Sequence, residues 1–434
     1  MNALGRLTRL SGPLVFGQLA FAVNGFVTQY FLARFSGDAF HAALPGSMLA
    51  VAVSSLFIST LGYTGTVLAK YHGAGDLAAA EIVFRRALKL TALSIPLFLL
   101  SIPLGHAVLS VFDTQSAVLE AEFAYYDILL VNGFFTTLAA VLGGFFTGRG
   151  KTRFVGAMTV AGFVLNMALA PLFIGGFRGF PWNGVVGAGW AATLAHIMPC
   201  IGLGWAIWCH SRSVPSTPPC RHTVPSCGEL LRVGIPNGIR AVVDIGGFFA
   251  FVAVLAECPQ AAVAASSAAF AVNGVYQAFP QAVSAALEIV TARDGTDHRR
   301  SRRAFHVASI QLAVGSALAF AGFLLFFGRR TLGVFRPDQL ADVGGFDGEI
   351  PRLIAILAVK GVFESVCLVY QGRLRGEGRT TAAFAVQTGC SLMFWLPLFL
   401  SVRVLHPSVT NYWLTMLAAS VLTAAVSHLV LRSR

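Results

Sequence analysis

Long apolar stretches, separated by short polar ones, run through the whole chain. Most of them are 20 or more residues long and continuously apolar. A helix needs about 20 residues to cross the hydrocarbon of a bilayer. The strand of a membrane barrel is shorter, and its side chains alternate between apolar and polar. The pattern therefore predicts an all-α integral membrane protein with twelve transmembrane helices, at residues 12–34, 39–68, 84–112, 122–147, 154–176, 185–209, 234–256, 261–290, 304–328, 350–374, 381–403 and 409–431.

Composition and charge agree with a membrane protein. Of 434 residues, 56% are apolar and only 12% are charged, against roughly a quarter in an ordinary soluble domain. A net charge of +12 is also typical of nucleic-acid-binding proteins, but here the basic residues gather on every second connection between spans, which is the positive-inside pattern. We therefore expect no nucleic-acid partner and both termini in the cytoplasm. The inward set includes Arg85, Arg86, Lys89, Arg149, Lys151, Arg153, Arg299, Arg300, Arg302, Arg303, Arg373, Arg375 and Arg379.

The sequence contains an internal repeat, which indicates two homologous halves of six helices each. Val131–Thr136, followed by the turn Gly148–Thr152, matches Val359–Glu364, followed by Gly376–Thr380, at a constant offset of 228 residues. A proline-rich polar segment, residues 209–231, lies between the copies and is typical of an extended linker. The sequence thus predicts two pseudo-symmetric six-helix bundles, an amino-terminal lobe at 1–208 and a carboxyl-terminal lobe at 232–434, with the site between them.

Four charged residues are singled out because their positions within predicted spans can place them at mid-membrane: Arg240, Asp244, Lys360 and Glu364. Each would cost about 2.5 to 3.5 kcal/mol at mid-membrane if it were ionised and unpaired. The spacing from Arg240 to Asp244 and from Lys360 to Glu364 is i,i+4, which places each cation on the same helix face as its acid. Arg240 can alternatively extend its side chain to the inner interface.

Three interpretations of these charges stay open. Asp244 and Glu364 can form an oxygen-rich site for Na⁺, or a coupled pair that binds a proton. Alternatively, each carboxylate only neutralises the cation on its own helix. In the third interpretation, the Lys360 ammonium occupies the place of a metal ion.

Motifs of enzymes are missing from the sequence. It contains no HExxH metalloprotease motif, no GxSxG in a strand–turn–helix context and no Walker A motif. Cysteine and histidine residues between 209 and 227 lack a recognised ligand spacing, which favours free thiols over a zinc site. We expect a non-enzymatic protein with no catalytic residues, no cofactor and no metal beyond a Na⁺ ion at Asp244 and Glu364. Met1–Leu10 leads directly into a full-length span, so we expect a retained helix and no cleaved signal peptide.

Several motifs together resemble the multidrug and toxic compound extrusion (MATE) family, over almost the whole chain and in particular its NorM-like bacterial branch. They are the proline early in spans 1 and 7, the turns after spans 2 and 4, and a glycine-rich start of span 6: Ser11-Gly-Pro13, Gly234-Ile-Pro236, Gly73-Ala-Gly-Asp76, Gly148-Arg-Gly-Lys-Thr152 and Gly184-Val-Val-Gly-Ala-Gly-Trp-Ala-Ala-Thr193. The resemblance implies a V-shaped two-lobe fold in the bacterial inner membrane.

The function implied by the resemblance is secondary antiport. Such a protein exports a small amphiphilic or cationic organic compound, such as a drug, a toxin or a natural product, in exchange for Na⁺ or H⁺. We expect membrane lipid as its surroundings and a monomer as its state. Two alternatives stay open: a flippase for a lipid-linked or biosynthetic product of the same superfamily, and a non-transporting membrane sensor.

The resemblance also implies where the site residues lie. Counting along the family pattern puts its span 7 carboxylate on Asp244 and its span 10 carboxylate on Glu364, while Lys360 stands where the family has a tyrosine. In the first lobe, Thr28 replaces the aspartate that the family carries in span 1. The usual polar neighbours, Asn166 and Thr193, are retained, so we expect a hydrogen-bonding pocket there without a titrating group.

Overall fold

The structure of the protein, a computed structural model, describes residues 3–35, 37–110, 116–176, 184–213, 223–255, 260–294, 299–333, 345–401 and 409–432. These residues form fourteen α-helices and no strand, which confirms the all-α prediction. The helices are α1 (Ala3–Phe35), α2 (Gly37–Gly62), α3 (Thr64–Gly73), α4 (Leu77–Leu93), α5 (Ile95–Leu109), α6 (Ser116–Thr147), α7 (Thr152–Ile174), α8 (Gly184–Ser213), α9 (Cys227–Leu255), α10 (Gln260–Asp294), α11 (Arg299–Gly333), α12 (Gly345–Gly376), α13 (Thr380–Ser401) and α14 (Val409–Arg432).

Two predicted spans are each built from two helices. The span at 39–68 divides at Tyr63, between α2 and α3, and the span at 84–112 divides at Ser94, between α4 and α5. Pro96 explains the second break, because a proline inside a helix removes a hydrogen bond and clashes with the preceding turn. Each pair of helices still forms one segment long and apolar enough to cross a membrane, at Gly46–Gly73 and Leu77–Leu109.

Many of the helices are long and apolar enough to cross a membrane. Among the described residues, eight segments meet this criterion: Gly46–Gly73, Leu77–Leu109, Leu119–Thr147, Thr152–Ile174, Gly184–Cys209, Arg303–Leu332, Ile350–Gly376 and Val409–Arg432. Large apolar side chains cover their outer surfaces, and Phe326 is 85% exposed. Exposed apolar surface of this extent indicates contact with lipid.

The chain divides into two compact units. The amino-terminal unit contains Phe16–Val242 and Ala292–Gly295, and the carboxyl-terminal unit contains Met1–Val15, Val243–Thr291 and Thr296–Arg434. Both α1 and α9 are shared, because the first part of each helix belongs to the unit formed mainly by the other half of the chain. The lobe limits 1–208 and 232–434 stay a prediction.

The internal repeat is visible in the turns after α6 and α12. Gly150 has φ 76° and Gly378 has φ 77°, a left-handed conformation that favours glycine. The Gly150 amide donates to the Thr147 carbonyl at 2.8 Å, and the Gly378 amide donates to the Arg375 carbonyl at 2.9 Å. Each of these pairs of positions differs by the same 228 residues as the sequence repeat, so the two turns are equivalent in structure.

Small residues allow close helix packing in the amino-terminal unit. A Cβ atom added at Gly65 of α3 would lie 3.0 Å from the Gly144 Cα atom of α6. Helices in membranes often approach through such glycines, because association there depends on close packing. Around this crossing, the buried side chains of Leu68, Val83 and Phe145 form a core that also contains Leu230 of α9.

The carboxyl-terminal unit has its own core. Trp413 of α14 is fully buried against α10 and α12, and its indole Nε1 donates to Ser266 Oγ at 2.8 Å. A second cluster includes Leu7 of α1 with Leu287 and Phe305. Apolar packing therefore holds the first turns of α1 within this unit.

The start of α9 is attached to the amino-terminal unit. Ser226 and Glu229 cap the helix reciprocally, each accepting a hydrogen bond from the backbone amide of the other through its side chain. Just before the cap, Arg86 Nη1 donates to the carbonyl oxygens of Val224 and Pro225, at 3.1 and 2.5 Å. Since α8 continues to Ser213 and α9 begins at Cys227, both ends of the predicted linker are helical instead of extended. Residues 214–222 lie outside the described residues.

Candidate functional site

Lys360 and Glu364 form an ion pair within α12. The helix places them one turn apart on the same face, and Lys360 Nζ lies 2.5 Å from Glu364 Oε2. The Lys360 side chain is 7% exposed and the Glu364 side chain is 24% exposed. A charge-assisted hydrogen bond of this kind is stronger than a neutral one. The predicted i,i+4 contact is thus present, and the Glu364 carboxylate has a cation bound to it.

The turn of α12 that carries this pair is held by two neighbouring helices. The hydroxyl of Tyr276, on α10, is hydrogen-bonded to the hydroxyl of Ser365 and donates to the Gly361 carbonyl at 3.3 Å. The ring of Tyr276 stacks on Phe320 of α11, with the centroids 4.2 Å apart and the planes 7° from parallel. These contacts restrain the backbone between Lys360 and Glu364. The sequence reasoning missed them, because spacing within one helix says nothing about its neighbours.

Asp244 has a different type of partner. It lies on α9 within the carboxyl-terminal unit, and its Oδ1 accepts a hydrogen bond from Gln387 Nε2 of α13 at 3.2 Å. Gln387 was not among the predicted site residues, although a glutamine inside an apolar span was a usable signal. Both predicted carboxylates therefore belong to the same unit. Glu364 contacts an ammonium group, and Asp244 accepts a hydrogen bond from an amide.

Arg240 belongs to the other unit. Its Nε donates to Asn237 Oδ1 at 3.4 Å, and Asn237 Nδ2 donates to the Ser59 carbonyl of α2 at 2.9 Å. The boundary between the units falls between Arg240 and Asp244. Arg240 is thus part of the region in which α9 packs on α2.

Neutral oxygen atoms are also available in the carboxyl-terminal unit. Asn273 Oδ1 and Gln277 Oε1, one turn apart on α10, and Thr388 Oγ1 on α13 are buried and have no hydrogen-bond partner among the described residues. A buried polar atom without a partner is rare and calls for an explanation such as a water or an ion. Carboxylate, amide and hydroxyl oxygens together make the donor set that a hard cation prefers.

A polar pocket is present in the amino-terminal unit. Asn166 of α7 is 2% exposed, and its Nδ2 donates to Asn24 Oδ1 at 2.6 Å and to Thr28 Oγ1 at 3.4 Å, both on α1. Thr193 is fully buried, but its hydroxyl donates to the Gly189 carbonyl of its own helix. The structure therefore brings Thr28 and Asn166 together with Asn24, which sequence reasoning missed. The hydrogen bonds of this pocket join neutral groups only.

Among the described residues, no group of three or more His, Cys, Asp or Glu side chains is arranged to hold a metal ion. Cys220 and His222 of the predicted thiol-containing loop lie outside the described residues. A sodium ion in the carboxyl-terminal unit would therefore depend on one or two carboxylates and on neutral oxygens.

Residues 13–172 and 239–399 match the MatE protein family. The chain belongs to this family. The match leaves out the residues between the two ranges, so it follows the two-copy organisation of the sequence. The MatE family is a family of transporters, and the resemblance inferred from the motifs is confirmed.

Relatives of this MatE protein include named multidrug resistance proteins. The multidrug resistance protein PmpM of Pseudomonas aeruginosa is 25% identical over 377 residues, covering 84% of this chain and 75% of PmpM. The probable multidrug resistance protein NorM of the same species is 26% identical over 410 residues, covering 91% of this chain and 82% of NorM.

Solved structures of MATE transporters share the fold. An outward-facing multidrug resistance MATE family transporter of the MOP superfamily superposes with a TM-score of 0.87 at 20% identity, over 100% of this chain and 96% of that one. A MOP superfamily transporter from Pyrococcus furiosus Vc1, described as having a binding pocket of reverse polarity, has a TM-score of 0.86 at 19% identity and the same coverage. The chain thus has the fold of the MATE transporters.

Proposed function

We propose that this MatE protein is a secondary antiporter that exports a small amphiphilic or cationic organic compound in exchange for Na⁺ or H⁺. The observation that carries the proposal is a carboxylate, Glu364, with a buried cationic neighbour inside Ile350–Gly376, a segment of α12 that is apolar enough to cross a membrane. Ionisable residues within spans are costly and mark ion pathways or substrate sites by default. Asp244, in the same unit, supplies the second carboxylate. The multidrug resistance proteins among the relatives support an organic substrate.

Coupling follows from linkage between two ligands of one protein. If the ion binds one conformation more tightly than the other, it shifts the population towards that conformation and weakens or strengthens substrate binding reciprocally. Protonation or ion binding at Asp244 and Glu364 changes the charge of helices that are buried in an apolar environment, which gives the required difference between conformations. No covalent step and no cofactor are needed.

The proposal also covers the cellular location of the protein and its oligomeric state. The basic turns, such as Gly148–Thr152 with Arg149 and Lys151, favour the cytoplasmic side, which puts both termini inside a bacterial inner membrane. We propose a monomer surrounded by lipid, with no nucleic-acid partner, since each unit has its own buried core.

The test is transport by purified protein in proteoliposomes, with ethidium as the organic cation and with imposed Na⁺ or pH gradients applied separately. We expect gradient-driven efflux that falls about tenfold or more in Asp244→Asn and in Glu364→Gln. Glu120→Gln, which removes an exposed carboxylate at the start of α6, is the matched control and should transport normally. Full activity in both site variants would disprove the cation site, and absence of gradient-driven flux of any organic cation would disprove the exporter.

A second candidate function has a specific observation in its favour. Lys360 and Arg240 place two cations inside predicted spans, which suits an anionic cargo such as a lipid-linked or biosynthetic product. A flippase of this kind would keep its activity in Asp244→Asn and Glu364→Gln. It would lose activity when a cation is removed in Arg240→Gln.

A further inference from the structure

We propose that the Lys360 ammonium is a built-in cation that occupies Glu364 in place of a sodium ion, and that transport is therefore independent of Na⁺. The inference rests on the proposed antiport and selects between the two ions named there. It assigns Lys360 as the residue that determines ion specificity.

The contact has the properties of an occupied cation site. An ammonium group carries the same single charge as Na⁺ and offers three hydrogen-bond donors to oxygen. At 2.5 Å from Nζ to Oε2, the Lys360 ammonium is in direct contact with the carboxylate, with no room for an ion between them. The charge of Glu364 is thus neutralised by the chain itself.

A second cation at the same carboxylate meets strong repulsion. Two like unit charges about 4 Å apart at an effective dielectric constant of about 20 weaken binding on the order of a thousandfold. Lys360 cannot move away to relieve this repulsion, because its side chain is 7% exposed and separation would leave a buried charge without a partner. Sodium is therefore excluded from Glu364 as long as Lys360 is charged and in place.

The pair is also permanent in a way that a bound ion is not. Both residues belong to one helix, and the i,i+4 geometry is set by that helix alone. Tyr276 and Ser365 hold the intervening turn through their hydroxyl groups, and Tyr276 is itself stacked on Phe320. A tethered cation moves with α12 and does not dissociate. Sodium therefore does not bind and dissociate at Glu364, and a sodium gradient cannot drive transport through this residue.

The decisive variant is Lys360→Met, which keeps a long flexible side chain and removes the ammonium. It leaves Glu364 without the cation of its own helix. Lys360→Arg keeps the charge and is the matched control. The double variant Lys360→Met/Glu364→Gln removes the carboxylate as well, and so tests whether any new sodium binding is at Glu364.

Two measurements are made at one pH on both sides of the membrane. The first is the melting temperature of the purified protein in NaCl against N-methylglucamine chloride, and the second is ethidium efflux driven by a sodium gradient. We expect no sodium effect in the wild type or in Lys360→Arg. In Lys360→Met we expect a sodium-dependent rise in melting temperature of about 3 °C or more, which the double variant abolishes.

Each outcome decides the inference. The inference would be overturned if sodium raised the melting temperature of the wild type or if a sodium gradient drove efflux by the wild type. It would also be overturned if Lys360→Met folded and its melting temperature did not change with sodium. If Lys360→Met does not fold, the wild-type measurement alone decides. A wild type that moves no organic cation under either gradient refutes the antiport, whereas the melting temperatures still test sodium exclusion.

Discussion

Gln387 Nε2 on α13 donates a hydrogen bond to Asp244 Oδ1 on α9, at 3.2 Å. This contact fixes one oxygen of a carboxylate that lies more than a hundred residues earlier in the chain. An amide donor orients Asp244 without adding a charge, in contrast to the ammonium group at Glu364. The two acids of the predicted site, Asp244 and Glu364, are therefore held by different chemistry.

The first prediction concerns this amide. Gln387→Leu removes the donor but keeps the approximate volume, and a hydrogen bond to a charged group contributes about 1.5 to 3 kcal/mol. We expect the rate of gradient-driven efflux to fall about tenfold, with little change in the amount of folded protein. Efflux from proteoliposomes and size-exclusion chromatography measure the two quantities.

The neighbouring residue, Thr388, provides a control for the stability measurement on Gln387→Leu. Thr388 Oγ1 is buried and has no hydrogen-bond partner among the described residues. Thr388→Val removes this hydroxyl in nearly the same shape, so we expect unchanged or slightly higher stability. Equal efflux in Gln387→Leu and the wild type would show that the amide does not position Asp244.

The second prediction concerns the attachment of the linker to α4. Arg86 donates to two consecutive carbonyl groups, whereas its neighbour Arg85 forms an exposed pair with Glu81. Arg86→Met should destabilise the protein by about 2 kcal/mol and accelerate proteolysis between residues 209 and 231. Arg85→Met should change stability by no more than about 0.5 kcal/mol, because exposed i,i+4 pairs contribute little. Equal protease resistance of the two variants would contradict the attachment.

The third prediction concerns the packing of α9 on α2. A Cβ atom added at Gly238 would meet the Leu56 carbonyl oxygen at 2.6 Å and also the Thr60 hydroxyl. Gly238→Ala should therefore lower the stability by about 1 to 3 kcal/mol, since the helices must separate. At Gly246 on the same helix, a Cβ atom would have nothing within 4 Å, so Gly246→Ala should be neutral or gain up to about 1 kcal/mol. Thermal unfolding in detergent gives both values, and an unaffected Gly238→Ala would refute the close packing.

The fourth prediction concerns the pocket of the amino-terminal unit. Thr28→Val removes one hydroxyl, whose contact with Asn166 is long at 3.4 Å, and should leave the ion dependence of efflux unchanged. Asn166→Leu breaks the 2.6 Å bond to Asn24 and should cost about 2 kcal/mol of stability, because a buried polar group loses its partner. A changed ion dependence in Thr28→Val, measured in the same efflux assay, would show that this pocket takes part in coupling.

Much of the fold was accessible from the sequence. Hydropathy places the spans, because a bilayer requires long apolar helices whatever their neighbours are. The repeated turns were visible because glycine at 150 and 378 meets the same backbone requirement twice. The ion pair of Lys360 and Glu364 was predictable for a related reason: spacing along one helix determines whether two side chains meet.

The breaks at Tyr63 and Ser94 were not predicted. Hydropathy averaged over a whole span does not register either break, although Gly62 and Gly65 flank Tyr63 and Pro96 follows Ser94 in the first turn of α5. The contribution of the start of α9 to the amino-terminal unit was missed for another reason. Covalent connection suggested that a helix belongs with the residues that follow it, whereas packing against Ser59 and Thr60 is a property of the folded chain.

What the sequence by itself determined is therefore local: the helices, the repeated turns, the family motifs and the cation bound to Glu364 within its own helix. Only the tertiary structure decided that Gln387 is the partner of Asp244, that Asn24 completes the pocket of Asn166 and that Tyr276 supports the turn at Gly361. The physical reason is that apolar periodicity specifies that a helix is buried. The rotation and the neighbours of that helix depend on side-chain packing across distant parts of the chain.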